Sequence, residues 1–179
     1  MKLETIAIHG GYEPEPTTRA VAVPIYQTAS YSFESTQHGA DLFDLKVEGN
    51  IYTRIMNPTT SVLEQRVTAL EGGIGALALA SGMAAITYSI LTLAEQGDNF
   101  VTTKSLYGGT YNLFAHTLPN YGIEARFCDS DDIKEMESKI DERTKAIFCE
   151  SIGNPAGNVT DLGAIAKMAH KHGVPVIVD

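Results

Sequence analysis

Beyond residue 57 the chain alternates short apolar runs with stretches of helical period, joined by short connectors. Strands that alternate with helices in this way run parallel, and a parallel sheet needs helices over both faces. Asn57-Pro58 supplies a cap and a first-turn proline. Val62, Leu63, Val67 and Leu70 then recur at helical spacing until Gly72-Gly73 stops the helix. Strands are expected at 75–80, 99–103, 123–128, 146–151 and 174–179. Helices are expected at 83–95, 110–118, 131–140 and 161–172. Right-handed crossovers make this an α/β fold, a mainly parallel doubly wound open sheet.

The first 56 residues differ. They are rich in Thr, Ser, Tyr and Pro and show helical period only near 37–46. We read 1–56 as an irregular N-terminal arm with one short helix, and 57–179 as the α/β domain. An arm with so few core residues of its own is expected to lie on another surface. Ile25, Tyr26, Tyr31 and Phe33 would be buried there. The domain looks incomplete. The chain stops on an apolar strand pattern at 174–179, so the sequence is expected to be the N-terminal part of a larger protein.

Composition removes several function classes. The formal net charge of −9 argues against a basic surface for nucleic acid. No apolar run reaches the roughly 18 residues of a membrane span, and Met1-Lys2-Leu3-Glu4-Thr5 does not open a signal peptide. Cys128 and Cys149 lie far apart in apolar stretches and read as buried free thiols of a cytoplasmic protein. The five histidines share no metal spacing, so no metal site is expected.

Ligands of open parallel sheets bind beyond the carboxyl ends of the strands. Ser81-Gly82-Met83 falls there at a helix start, where free N–H groups and a hydroxyl suit a phosphate; the same residues also read as a plain serine cap. Tyr107 stands beside Gly108-Gly109 at the next strand end and could stack on a flat ring or simply fill the rim. Glu150-Ser151-Ile152-Gly153-Asn154-Pro155 follows another strand, and Asn154 reads either as a turn residue or as a bond to a phenolic oxygen. Asp179 ends the last strand and reads as a buried carboxylate in need of a cationic partner. In the arm, Tyr52 and Arg54 point the same way along an extended segment, as a phosphate grip or a surface pair. A nucleotide-binding domain is disfavoured, since no G-x-G-x-x-G follows the first strand.

Taken in order, these stretches resemble the Cys/Met-metabolism family of pyridoxal-phosphate (PLP) enzymes, the cystathionine γ-synthase-like group. The matching segments are Asn50 to Thr59, Leu70-Glu71-Gly72-Gly73, Ala80-Ser81-Gly82-Met83-Ala84-Ala85, Tyr107-Gly108-Gly109-Thr110 and Val176-Ile177-Val178-Asp179. Two further stretches, Phe43 to Asn50 and Glu150 to Pro155, look like the O-acetylhomoserine sulfhydrylase branch. The resemblance implies the large domain of the aspartate-aminotransferase-like fold, with PLP as cofactor. It also implies a transferase of methionine biosynthesis: γ-replacement on O-acetylhomoserine by a sulfur nucleophile, giving homocysteine or methionine. Cystathionine γ-synthase and methionine γ-lyase are the nearest rivals, and an inactive fragment or binding module is the non-enzyme alternative.

By the same resemblance, Ser81, Gly82 and Met83 would cradle the cofactor phosphate. Tyr107 would stack on the ring and help the leaving group depart. Asn154 would bond the ring hydroxyl, and Asp179 would keep the ring nitrogen protonated. Tyr52 and Arg54 would reach the phosphate of a neighbouring subunit, in a homo-oligomer built as a dimer of dimers with shared sites. The family's cofactor-bearing lysine lies beyond the strand after Asp179, and Lys104 does not match its motif. So this stretch is expected to hold much of the cradle without the covalent anchor.

Overall fold

In the computed structural model, which describes residues 1–129 and 132–179, the parallel sheet forms within the second of two units, 1–78 and 79–179. It has four strands: β1 (Asn99–Thr103), β2 (Glu124–Cys128), β3 (Thr144–Cys149) and β4 (Val176–Val178). Their order is β2-β1-β3-β4, and every pairing is parallel. β1 is buried along its whole length, because both of its faces are covered.

The pleat assigns each face its own core. Phe100, Ala146 and Phe148 point to one side. They meet Ile86 and Ile90 of α4 (Gly82–Leu93), with Phe114 and Leu118. Phe114 packs edge-on between Phe100 and Phe148, at centroid distances of 4.7 and 4.9 Å. Val101, Ile147 and Cys149 point to the other side. There they meet Met136 of α6 (Ile133–Ser138) and Ile165, Met168 and Ala169 of α7 (Leu162–Lys171). The expected two-sided sheet is therefore present.

Helix starts follow side-chain caps. Ser81 accepts from Ala84 N–H, Asp132 from Glu135 N–H and Asp161 from Ala164 N–H. The helix expected at 131–140 is shorter, 133–138, and Asp131 lies outside the described residues. The helix expected at 110–118 is not regular. α5 (Gly108–Asn112) widens into a π turn at Leu113–Thr117, and Pro119 then starts a 3-10 turn, Leu118–Tyr121, ended by Gly122 at positive φ.

The strand expected at 75–80 does not form. The Ala78 N–H donates to the Glu64 carboxylate at 2.9 Å rather than to a neighbouring strand. An apolar run with no ladder to join stays out of the sheet, and Ile74 and Leu77 are exposed.

The unit 1–78 holds α1 (Leu3–His9), α2 (Thr36–Phe43) and α3 (Pro58–Glu71). α1 has no counterpart in the sequence reading. It is fixed beyond its end, where Arg66 Nε donates to Gly10 O at 2.8 Å. Gly11 adopts φ +69°, and a Cβ there would lie 2.6 Å from the Arg66 backbone nitrogen. α3 is capped by Asn57 and closed by Gly72 as expected, yet it buries none of its residues, and Leu63 and Val67 are exposed. Among the described residues no helix is long and apolar enough to cross a membrane.

A polar knot closes the amino-terminal end of the sheet. Asp141 accepts from Asn99 Nδ2 at 2.9 Å and from Arg126 at 2.7 Å. These bonds hold its carboxyl well below the usual carboxylate value of 3.8, Asn99 contributing most. A carboxylate depressed in the folded state stabilises above its unfolded pKa and loses that contribution as pH falls through the folded one. Thermal melts should therefore be flat from pH 7 to about 5 and drop progressively below about pH 4. Asp141→Asn should start from a lower melting temperature and show a shallower acid drop. Equal acid slopes in the two proteins would remove this role from Asp141.

Candidate functional site

The strand order makes one crevice special. From β1 the chain winds through α5 on one face to β2; from β3 it winds through α7 on the other face to β4. β1 and β3 are neighbours whose connections run to opposite faces, which makes the space beyond their carboxyl ends the crevice where a ligand of such a sheet is expected. Tyr107 follows β1, and Asn154 follows β3.

Six of the residues singled out in the sequence are tied to this rim by contacts or by chain adjacency to one: Ser81, Gly82, Met83, Tyr107, Asn154 and Asp179. Ser81 caps α4, its hydroxyl accepting from Ala84 N–H at 3.1 Å. The N–H groups of Gly82 and Met83 then have no partner within the helix, and nothing lies within 4 Å of where a Gly82 Cβ would stand. Met83 Sδ accepts from Thr110 Oγ1 at 3.9 Å, which sets the start of α4 against α5. The Tyr107 ring lies over Gly109, where a Cβ would sit 2.7 Å from Cε1 and 3.2 Å from Met83 Sδ. Glycine is required there by the close approach. Tyr107 as a whole is 53% exposed.

Asp179 is also on this rim. Its N–H donates to Cys149 O at 3.0 Å, and its carbonyl accepts from Ser151 N–H at 2.8 Å. It is the last residue of this chain and is exposed there, where the sequence suggests a buried carboxylate. Asn154 is exposed too, in a turn that opens with a cis bond to Pro155.

Glu150 is the residue that sequence reasoning passed over. It is 5% exposed. One carboxylate oxygen accepts from Tyr107 N–H at 2.6 Å and the other from Asn154 N–H at 2.9 Å. The signal was available, since a carboxylate directly after an apolar strand must find donors.

The loop 151–160 is a small hairpin, with an antiparallel bridge between Ile152 and Val159. Its Gly153 presses on the loop after β1. A Cβ at Gly153 would lie 2.6 Å from Ser105 Oγ and 2.5 Å from Asn158 Oδ1.

Tyr52 and Arg54 belong to the other unit. The segment around them is a turn rather than an extended run, with Ile55 and Met56 N–H both donating to Tyr52 O. The pair is still together, the guanidinium 5.5 Å from the centroid of the Tyr52 ring. Asn57 fixes the turn. It caps α3 and donates to Tyr26 O at 2.9 Å and to Thr53 Oγ1 at 3.1 Å. Thr53 Oγ1 in turn donates to Thr28 O.

Cys128 and Cys149 are free and buried, and burial pushes their thiols up to about 12 and about 11. Neither is a nucleophile at neutral pH.

The sequence model of the Cys/Met metabolism PLP-dependent enzymes matches residues 4–179. An O-acetyl-L-homoserine sulfhydrylase 1 of Thermus thermophilus is 55% identical over 180 residues, covering 100% of this chain and 43% of the relative. An O-acetyl-L-homoserine sulfhydrylase of Leptospira meyeri is 51% identical, covering 99% of this chain and 40% of the relative. A Campylobacter jejuni crystal structure, assigned as an O-acetylhomoserine (thiol)-lyase with N'-pyridoxyl-lysine-5'-monophosphate, superposes with a TM-score of 0.96 at 46% identity. It is covered to 44% of its length, and this chain to 100%. The chain thus spans about two fifths of the length of the curated relatives it matches.

The tight seat of Gly153 has a measurable consequence. Gly153→Ala should destabilise by about 1–3 kcal/mol, the usual cost of overpacking a filled site. Ser105→Ala in the same chain should recover part of that loss in urea melts. A Gly153→Ala chain as stable as wild type would show that the two loops do not press together.

Proposed function

Because this chain belongs to the Cys/Met-metabolism family of PLP-dependent enzymes, we propose that it supplies the cofactor cradle of an O-acetylhomoserine sulfhydrylase. The reaction is a γ-replacement: the bond from the γ-carbon to the acetate oxygen breaks, a carbon–sulfur bond forms, and homocysteine or methionine results. The observation that supports it most is that Glu150 joins Tyr107 and Asn154 beyond the carboxyl ends of β1 and β3.

The donor set fits PLP. The helix start at Ser81, Gly82 and Met83 offers N–H groups to a phosphate dianion. The half-open face of Tyr107 suits a flat ring, and its hydroxyl would assist the departing acetate. Asn154 would donate to the phenolic oxygen. The Asp179 carboxylate would hold a proton on the ring nitrogen. PLP, when bound, draws electrons from the carbon that carries the amino group. This chain's residues bind it, orient it and keep it charged.

Residues 1–56 serve as an arm and 57–179 as the start of the cofactor-binding domain in this reading. Tyr52 and Arg54 would serve the phosphate of a second subunit. The stacking of the guanidinium on Tyr52 supports this by presenting its donor fork ready-formed. The exposed apolar residues of the unit 1–78, among them Val21, Ile25 and Phe43, support an oligomer, which we place as a dimer of dimers in the cytoplasm.

The assay uses the protein at the full length of its relatives, loaded with PLP. O-acetylhomoserine plus sulfide should yield homocysteine, and cystathionine should not be cleaved at a comparable rate; the reverse pattern would overturn the reading. Arg54→Ala should weaken PLP binding roughly tenfold, as expected for a lost charge-assisted bond. Mixed with subunits lacking the cofactor lysine, it should regain activity, each mixed dimer holding one intact site. No recovery despite proven subunit exchange would exclude a shared site.

A further inference from the structure

We infer that Glu150 is a positioning residue, a buried clamp that ties the loop after β1 to the loop after β3 across the crevice. That the clamped loops face a cofactor rests on the function proposed above; the clamp itself rests on geometry alone. Glu150 is 5% exposed, and its two carboxylate oxygens are used in opposite directions, on Tyr107 N–H at 2.6 Å and on Asn154 N–H at 2.9 Å. Its own carbonyl accepts from Thr160 Oγ1 at 2.6 Å, so the far end of the 151–160 hairpin is held by the same residue.

These partners explain why a carboxylate stands here. Both loops present donors, and only an ionised carboxylate offers an acceptor on each oxygen. A glutamine of the same shape keeps one acceptor and turns the other position into a donor facing a donor. The clamp sits where the connections of β1 and β3 wind to opposite faces of the sheet. Glu150 therefore makes Tyr107 and Asn154 one rigid unit, even though both side chains are exposed.

Amide hydrogen exchange of this chain, followed by NMR, tests the clamp without cofactor. In the wild type the Tyr107 and Asn154 amides should exchange far more slowly than open-loop amides. Exchange at open-chain rates would overturn the proposal, whatever the variants do. Glu150→Gln should speed one of the two by roughly tenfold or more, and Glu150→Ala should speed both. The sheet amides of Val101 and Phe148 serve as references and should change little. Unchanged Tyr107 and Asn154 protection in Glu150→Gln, or equal acceleration of the sheet amides, would also overturn it.

The second arm reads the link to function in the full-length protein. With PLP bound, Glu150→Ala should move the cofactor's visible absorption band and raise the PLP dissociation constant roughly tenfold, with Glu150→Gln intermediate. Faster loop exchange with an unmoved band would leave the clamp standing and count against the crevice as the cofactor site.

Discussion

A single buried carboxylate settles how the business end of this sheet is arranged. Burying an ion is costly unless donors meet it, and Glu150 meets two backbone N–H groups that belong to different loops. The cost of leaving either donor or acceptor unmet is what makes the loops hold their spacing. Apolar contacts could not do this, since they are non-directional and tolerate sliding. Gly153 is a consequence of the same spacing. The hairpin it starts lies so close to Ser105 that a methyl group has no room.

The sheet beneath supplies the rigidity. Phe100, Phe114 and Phe148 interlock on one face, while Val101, Ile147 and Cys149 pack under two helices on the other. Edge-on aromatic pairs add about 0.5–1.5 kcal/mol each beyond their buried area. The polar knot of Asp141, Asn99, Arg126 and Thr144 closes the amino-terminal end. Charged and hydrogen-bonded groups thus gather at the two ends of the strands, and the middle is dry. At one end they fix register; at the other, Tyr107, Asn154 and Asp179 stand exposed.

Much of this was legible in the sequence, for physical reasons. β1 was placed at its observed limits because Asn99 to Thr103 is bracketed by Gly97-Asp98 and a charged loop. The caps at Ser81 and Asn57 were legible because a short polar side chain before a helical period has one good use. The strand at 75–80 was misread because apolar runs fold as strands only when a ladder is offered, and no local pattern reports that. α1 was missed because seven residues carry too little period to stand out. Asp179 reads as buried from its apolar neighbours and is exposed as the last residue of this chain; what flanks a strand end is not written in the local pattern. The role of Glu150 was hidden for the same reason. Its partners lie four residues away on one side and 43 on the other, and only the strand order brings them together.

The two units spend their apolar residues differently, and this bears on what each can do alone. In 79–179 the large apolar side chains form two closed cores. In 1–78 only Leu42 and Ile51 among the large aliphatic residues are buried, while Val21, Ile25, Phe43 and Leu45 face outward. What holds that unit is polar: Asn57 and Thr53 bonding to the carbonyls of Tyr26 and Thr28, and Thr59 bonding to Pro24 O. Hydrogen bonds to backbone carbonyls fix direction at little net gain in stability, about 0.5–1.5 kcal/mol apiece. A segment built this way keeps its shape only modestly by itself, yet it presents the Tyr52–Arg54 turn and a broad apolar surface in defined positions. Burying that surface would provide the stability that its own bonds do not. On the function proposed above, a second subunit would complete this core, and Arg54 would meet it with its guanidinium already held over the Tyr52 ring.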